Sequence, residues 1–153
     1  MTPRALFRSV AFAEAVTWTL LIIGMFLKYV TNTSDLGVRI GGGIHGFVFL
    51  CYIAVTCFLW VNQRWSVKTG SLTALTAILP YVTIPMEKSL DSRDLLGGGW
   101  RLAAGGDSPR GMVEHVQAWV LRRPLLAVGT AVVAIAVVFS ALLSLGPPTQ
   151  WFA

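Results

Sequence analysis

Five side chains of this sequence have chemistry to offer from places where chemistry is expensive. Glu14, His45 and Tyr52 sit inside long apolar stretches, and Lys28 and Glu87 stand at the ends of such stretches. An ionisable group in the hydrocarbon of a bilayer is costly, so it normally faces protein or a water-filled cavity. A buried carboxyl such as Glu14 takes up and releases a proton, as relay and transport carboxylates do, or it stays neutral and hydrogen-bonded and fixes helix packing. Packing is the favoured role while Glu14 is the one deep ionisable group. His45 as a metal or haem ligand is weaker than His45 as a donor to a neighbouring helix. His115 lies far off in a polar segment, and no cluster of His, Cys or carboxylate has ligand spacing. Lys28 and Glu87 read as interfacial anchors. There is no nucleophile elbow, phosphate loop or zinc-protease motif. The residues thus point to no enzyme, no cofactor and no metal.

The elements that position these groups are four apolar stretches, at about residues 6–27, 40–61, 68–84 and 124–145. Each approaches the 17 to 25 residues that a helix needs to cross a bilayer. Of 153 residues, 55% are hydrophobic and 12% charged, a membrane composition that leaves no room for a separate soluble domain. The expected fold is an all-α membrane protein, a bundle of four transmembrane helices. Residues 1–90 form a three-helix core. Residues 91–123 form a polar, glycine-rich linker, mobile in its middle, with an amphipathic interfacial helix at about 109–123. The fourth helix, 124–145, is an added module, and 146–153 is a short tail. Arg4 and Arg8 precede an apolar run too long for a signal peptide and lacking a cleavage site, so the first stretch is kept as a span. The net charge of +5 belongs to Lys and Arg that flank membrane helices and meet lipid headgroups, and not to nucleic-acid binding.

Within the helices, Pro80 and Pro85 should kink or end the third, which is also rich in threonine. Gly42 and Gly46 offer a GxxxG face, and Ala136, Ser140 and Ser144 a small-residue stripe, both suited to close helix packing. Gly41, Gly43 and Gly46 match a dinucleotide fingerprint by letter only, since no strand precedes them. Cys51 and Cys57 are turned about 240° apart on one helix, which disfavours a disulfide or a metal pair. At about 1.5 Å per residue, Glu14 lies about 12 Å from the end of the bundle where the first helix begins. Tyr52, Thr73 and Thr76 should share its level. His45, about 8 Å from the opposite end, should group there with Lys28 and Glu87. Four crossings place eight of the twelve Lys and Arg on the side away from the termini. The positive-inside rule then weakly favours both termini outside.

Phe7-Arg8, Ala13-Glu14, Leu27-Lys28-Tyr29, Ile44-His45-Gly46-Phe47-Val48-Phe49, Tyr52 and Ile84-Pro85-Met86-Glu87 resemble the YdzA-like family of small, mainly actinobacterial integral membrane proteins, a domain of unknown function. The resemblance covers about Leu6–Leu90. It implies a three-helix core in a bacterial cytoplasmic membrane, and no reaction. Alanine at position 15 departs from the family's Glu-Gly pair. The expected role is a non-enzymatic accessory or scaffolding subunit of a membrane assembly, surrounded by lipid and contacting a protein partner or another copy of itself. The alternative is a small oligomeric transporter or proton-coupled permeation unit using Glu14. A third is a membrane enzyme acting on a lipid or quinone near His45, Lys28 and Glu87.

Overall fold

A computed structural model describes residues 1–145 as helices and their connections. The helices are α1 (Pro3–Tyr29), α2 (Leu36–Asn62), α3 (Val67–Leu75), α4 (Thr83–Ser92), α5 (Gly111–Arg122) and α6 (Pro124–Ser144), with a 3-10 turn at Thr76–Ile78 after α3. The expected tail at 146–153 lies outside the described residues. Among the described residues three helices, α1, α2 and α6, are long and apolar enough to cross a membrane. Side chains are sorted for lipid: Glu14, Thr56, Asn62, Thr73 and Thr83 are buried, while Phe12, Ile23, Ile40 and Val133 face outward. Around a bilayer the apolar surroundings reverse the soluble pattern, because polar groups find partners only inside the protein.

Thr2 starts α1 by accepting the amide of Ala5 at 3.2 Å, and Pro3 occupies the first turn, where its missing N–H costs nothing. Phe7, Ala11, Glu14, Thr17 and Gly24 fall three, four or seven residues apart and form the buried stripe of α1. Most of that stripe meets α2. The tightest approach is glycine on glycine: a Cβ at Gly24 would stand 2.5 Å from the carbonyl carbon of Gly37, and one at Gly41 3.0 Å from the carbonyl oxygen of Leu20. The working GxxxG pair is therefore Gly37 and Gly41. At Gly42 a Cβ would meet only a leucine methyl, at 3.7 Å, and Gly46 instead receives the ring of Phe139 from α6.

The stretch 68–84 is not one helix. Ser66 caps α3, which has nine residues and a rise of about 13 Å, well short of a crossing. The chain then breaks at Pro80-Tyr81, where proline cannot donate to a continuing helix and Tyr81 adopts φ 64°. From there α4 runs antiparallel to α1. Thr83 donates to the carbonyl of Ala11 at 3.1 Å, and Glu87 accepts from Arg8 at 2.8 Å one turn further on. Together α3 and α4 form a helical hairpin that enters from the end of the bundle where α1 starts and returns to it. Irregular backbone at such depth is tolerated where protein buries it. Here Trp18 donates its indole N–H to the carbonyl of Ala77 at 3.3 Å.

The segment between α4 and α5 is not slack. Leu96 and Leu102 are fully buried. Gln63 and Asn62, at the end of α2, donate to the carbonyls of Gly97 and Gly99 at 2.9 and 3.3 Å, and Trp65 donates to that of Leu95 at 2.9 Å. The glycines leave those carbonyls accessible, so the composition that suggested mobility serves as a docking strip. Last, α6 packs on α2 through the edge of Phe139 against Phe47, with ring centroids 6.2 Å apart. Ala136 and Ser140 are exposed, so among the described residues the expected small-residue stripe is not covered by another helix.

Candidate functional site

The helix crossing at Gly24 and Gly37 brings the middle of α1 against the first half of α2. There Glu14 Oε2 stands 3.9 Å from His45 Nδ1. Thr17, one turn along α1 from Glu14, contacts both residues: its hydroxyl lies 3.0 Å from the backbone carbonyl of Glu14 and 3.2 Å from His45 Nδ1. Which of the two groups donates across the Thr17–His45 contact is set by the imidazole tautomer. Trp18 covers the imidazole with ring centroids 4.4 Å apart. Its bond to Ala77 ties this cluster to the hairpin.

Glu14 is fully buried, and neither of its carboxyl oxygens has a hydrogen-bond partner. A bare carboxylate in such surroundings carries a desolvation cost of several kcal/mol, about the largest penalty a single side chain can impose. A proton on Glu14 would remove that charge, and a protonated imidazole at 3.9 Å would offset it.

The sequence-level groupings are redistributed. Tyr52, Thr73 and Thr76 do come together: the Tyr52 hydroxyl lies 3.2 Å from the carbonyl of Thr73 and 3.0 Å from Thr76 Oγ1, and Thr76 itself donates to the Thr73 carbonyl at 2.6 Å. That set is satisfied by itself and makes no hydrogen bond to Glu14. His45 leaves its expected group at the far end and joins Glu14. Glu87 leaves it too: the hairpin carries it back to Arg8 at the opposite end, where Asp91 bonds the same guanidinium at 3.4 Å. Lys28 stays at the far end, 3.5 Å from Asp35 and above the ring of Tyr29. Thr17 and Trp18 were missed. Their signal was available, since positions three and four after Glu14 share its helix face. Among the described residues no three His, Cys, Asp or Glu side chains gather as metal ligands. Cys51 and Cys57 are free thiols.

A second polar centre closes the end of the bundle where α1 starts. Arg101 donates to the backbone carbonyls of Asn62 and Val61, both at 3.1 Å, and to Glu114 of α5 at 2.7 Å. That hydrogen bond from Arg101, with a second from the amide of Arg110, holds the Glu114 carboxyl below the usual carboxylate range.

Known proteins resemble the hairpin-bearing half of the chain. Membrane protein SCO5905 of Streptomyces coelicolor is 39% identical over 82 residues, which are 53% of this chain and 10% of that protein. The chain thus spans only a small part of that relative. The uncharacterised membrane protein YdzA of Bacillus subtilis is 28% identical over 90 residues, 58% of this chain and 93% of that protein. No solved structure matches. The family model for a domain of unknown function matches residues 4–92, the stretch that forms α1, α2 and the hairpin. Half of the chain and more is covered, the relatives are membrane proteins, and the chain belongs to the DUF3817 family, a domain of unknown function.

Proposed function

We propose that this chain is a proton-coupled permeation unit of a bacterial cytoplasmic membrane, with Glu14 and His45 as its proton-binding pair. One observation carries this reading: a fully buried carboxyl without a hydrogen-bond partner lies 3.9 Å from an imidazole nitrogen. A carboxyl kept for packing is expected to have its lone pairs satisfied. With His45 beside it, Glu14 also stops being a solitary deep ionisable group, which was the reason to favour packing. The test uses proteoliposomes holding a pH-sensitive dye, with a potassium diffusion potential to drive protons inward. Wild-type vesicles acidify, and Glu14→Gln vesicles with the same protein content do not. Equal acidification, or none with wild type, would overturn the reading.

The hairpin also supports a reading of the orientation. With α3 and α4 returning, every Lys and Arg except Lys28 and Arg39 falls at the end where α1 starts or in the segments docked there. The positive-inside rule then favours that end in the cytoplasm and the end of α6 outside. This reverses the orientation that four crossings favoured. A cysteine-reactive, membrane-impermeant reagent applied to whole cells should label Ser34→Cys and spare Asp107→Cys.

A second reading, an accessory subunit of a larger assembly, has its own support. In the Streptomyces relative the matched segment is 10% of the protein, so this unit also occurs attached to a much larger chain. Purification from native membranes in mild detergent decides it. A stoichiometric partner supports the accessory role, and a clean monomer or homo-oligomer removes it.

A further inference from the structure

Helix α5 is amphipathic in the reverse of the soluble sense. Two of its polar side chains are turned into the protein, where Gln117 donates to the carbonyl of Phe58 at 2.8 Å and Glu114 takes Arg101 at 2.7 Å, while His115 is exposed. Its apolar face, Met112, Val113, Val116 and Trp119, is turned out, with Met112 84% exposed. Water around that face would make the arrangement unfavourable, at about 25 cal/mol for each Å² of apolar surface. Acyl chains around it would make it favourable.

The charges at this end of the bundle are equally one-sided. Its acidic groups are already engaged: Glu87 by Arg8, Asp91 and Asp94 by Arg4, Asp107 by Arg64 and Arg101, and Glu114 by Arg101. Arg110, Arg122 and Arg123 bracket α5, about 18 Å from end to end. All three are exposed, and their guanidinium groups have no acidic partner among the described residues. A helix with its greasy side outward and unpaired arginines at both ends is complementary to one kind of surface, an anionic lipid leaflet.

We infer that α5 is a binding site for anionic phospholipid, with the Met112, Val113, Val116 and Trp119 face among the acyl chains and Arg110, Arg122 and Arg123 on the headgroup phosphates. The inference is independent of the proton pair. Each arginine near an anionic surface contributes about 1 kcal/mol, or roughly fivefold in lipid preference. The test is native mass spectrometry of the full chain released from nanodiscs of mixed phosphatidylglycerol and phosphatidylcholine. Wild type is expected to retain phosphatidylglycerol in preference. Replacing the three arginines with glutamine should abolish the preference, while the far-end control Lys28→Gln/Arg39→Gln keeps it. Should the triple variant not fold, as judged by its helical circular dichroism, Arg123→Gln alone is expected to lower the preference about fivefold. Excess inorganic phosphate should leave the bound lipid in place. No preference in the wild type, equal loss in the control, or displacement by inorganic phosphate overturns the inference.

Discussion

Glu14 and Glu87 are both buried carboxylates, and the protein treats them oppositely. Glu87 sits near the end of the bundle with Arg8 at 2.8 Å, and Asp91 on the same guanidinium completes a short network. Glu14 sits halfway along α1 with no donor on either oxygen and an imidazole just beyond hydrogen-bond distance, at 3.9 Å. The first arrangement is closed and holds the hairpin to α1. The second leaves its oxygens without a partner. The fold thus satisfies one carboxyl and, less than two turns away along α1, leaves another unsatisfied.

The contrast breaks most directly at Glu14. Glu14→Gln keeps the shape and removes the titration. Proton flux in vesicles should fall to background while the melting temperature stays level or rises, because a buried group that can bear charge is replaced by one that cannot. A large loss of stability instead would make Glu14 a structural residue like Glu87. Next in size is Gly24→Val, which acts on the spacing of the pair. The added side chain meets the backbone of Gly37, so the helices must separate, at a cost of about 1–3 kcal/mol in thermal unfolding. The same separation should weaken flux and leave the Arg8–Glu87 end unchanged.

A smaller effect is expected at the closed end. Arg8→Ala leaves Glu87 buried without its partner and should lower the melting temperature without abolishing flux. Adding Glu87→Gln should recover part of the loss, and a double-mutant cycle measures the coupling. The smallest effect is a pH dependence at α5. Glu114 has its carboxyl held below the usual range by Arg101, so its contribution to stability is full above the unfolded value, about 4.3. That contribution fades as the pH falls through the lower folded value. One ion pair near the end of the bundle contributes little, so the amplitude should be small. An acid titration of thermal stability should lose this component in Glu114→Gln.

Much of the bundle was legible in the sequence. Length and apolarity alone define α1, α2 and α6, since hydrocarbon thickness is a one-dimensional requirement. A helix expected at about 109–123 from periodicity is present as α5 at Gly111–Arg122. The third stretch was misjudged because apolarity does not distinguish a crossing helix from a hairpin packed against protein. Pro80 marks the break in the sequence, but that the chain reverses there depends on Tyr81 accepting φ 64° and on Thr83, Glu87 and Asp91 meeting α1. Moving one helix end moves every charge after it, and Glu87 goes to the other end of the bundle.

Sequence by itself therefore determined the membrane class, the family resemblance and the identity of the buried acid, because these depend on composition, motif and the cost of charge in hydrocarbon. Tertiary structure alone decided what that acid faces. Gly24, Gly37 and Gly41 let α1 and α2 approach closely enough to place His45 beside Glu14, and the hairpin's return assigned Arg8 to Glu87. Both outcomes depend on distances between helices, which no periodicity along a single helix encodes.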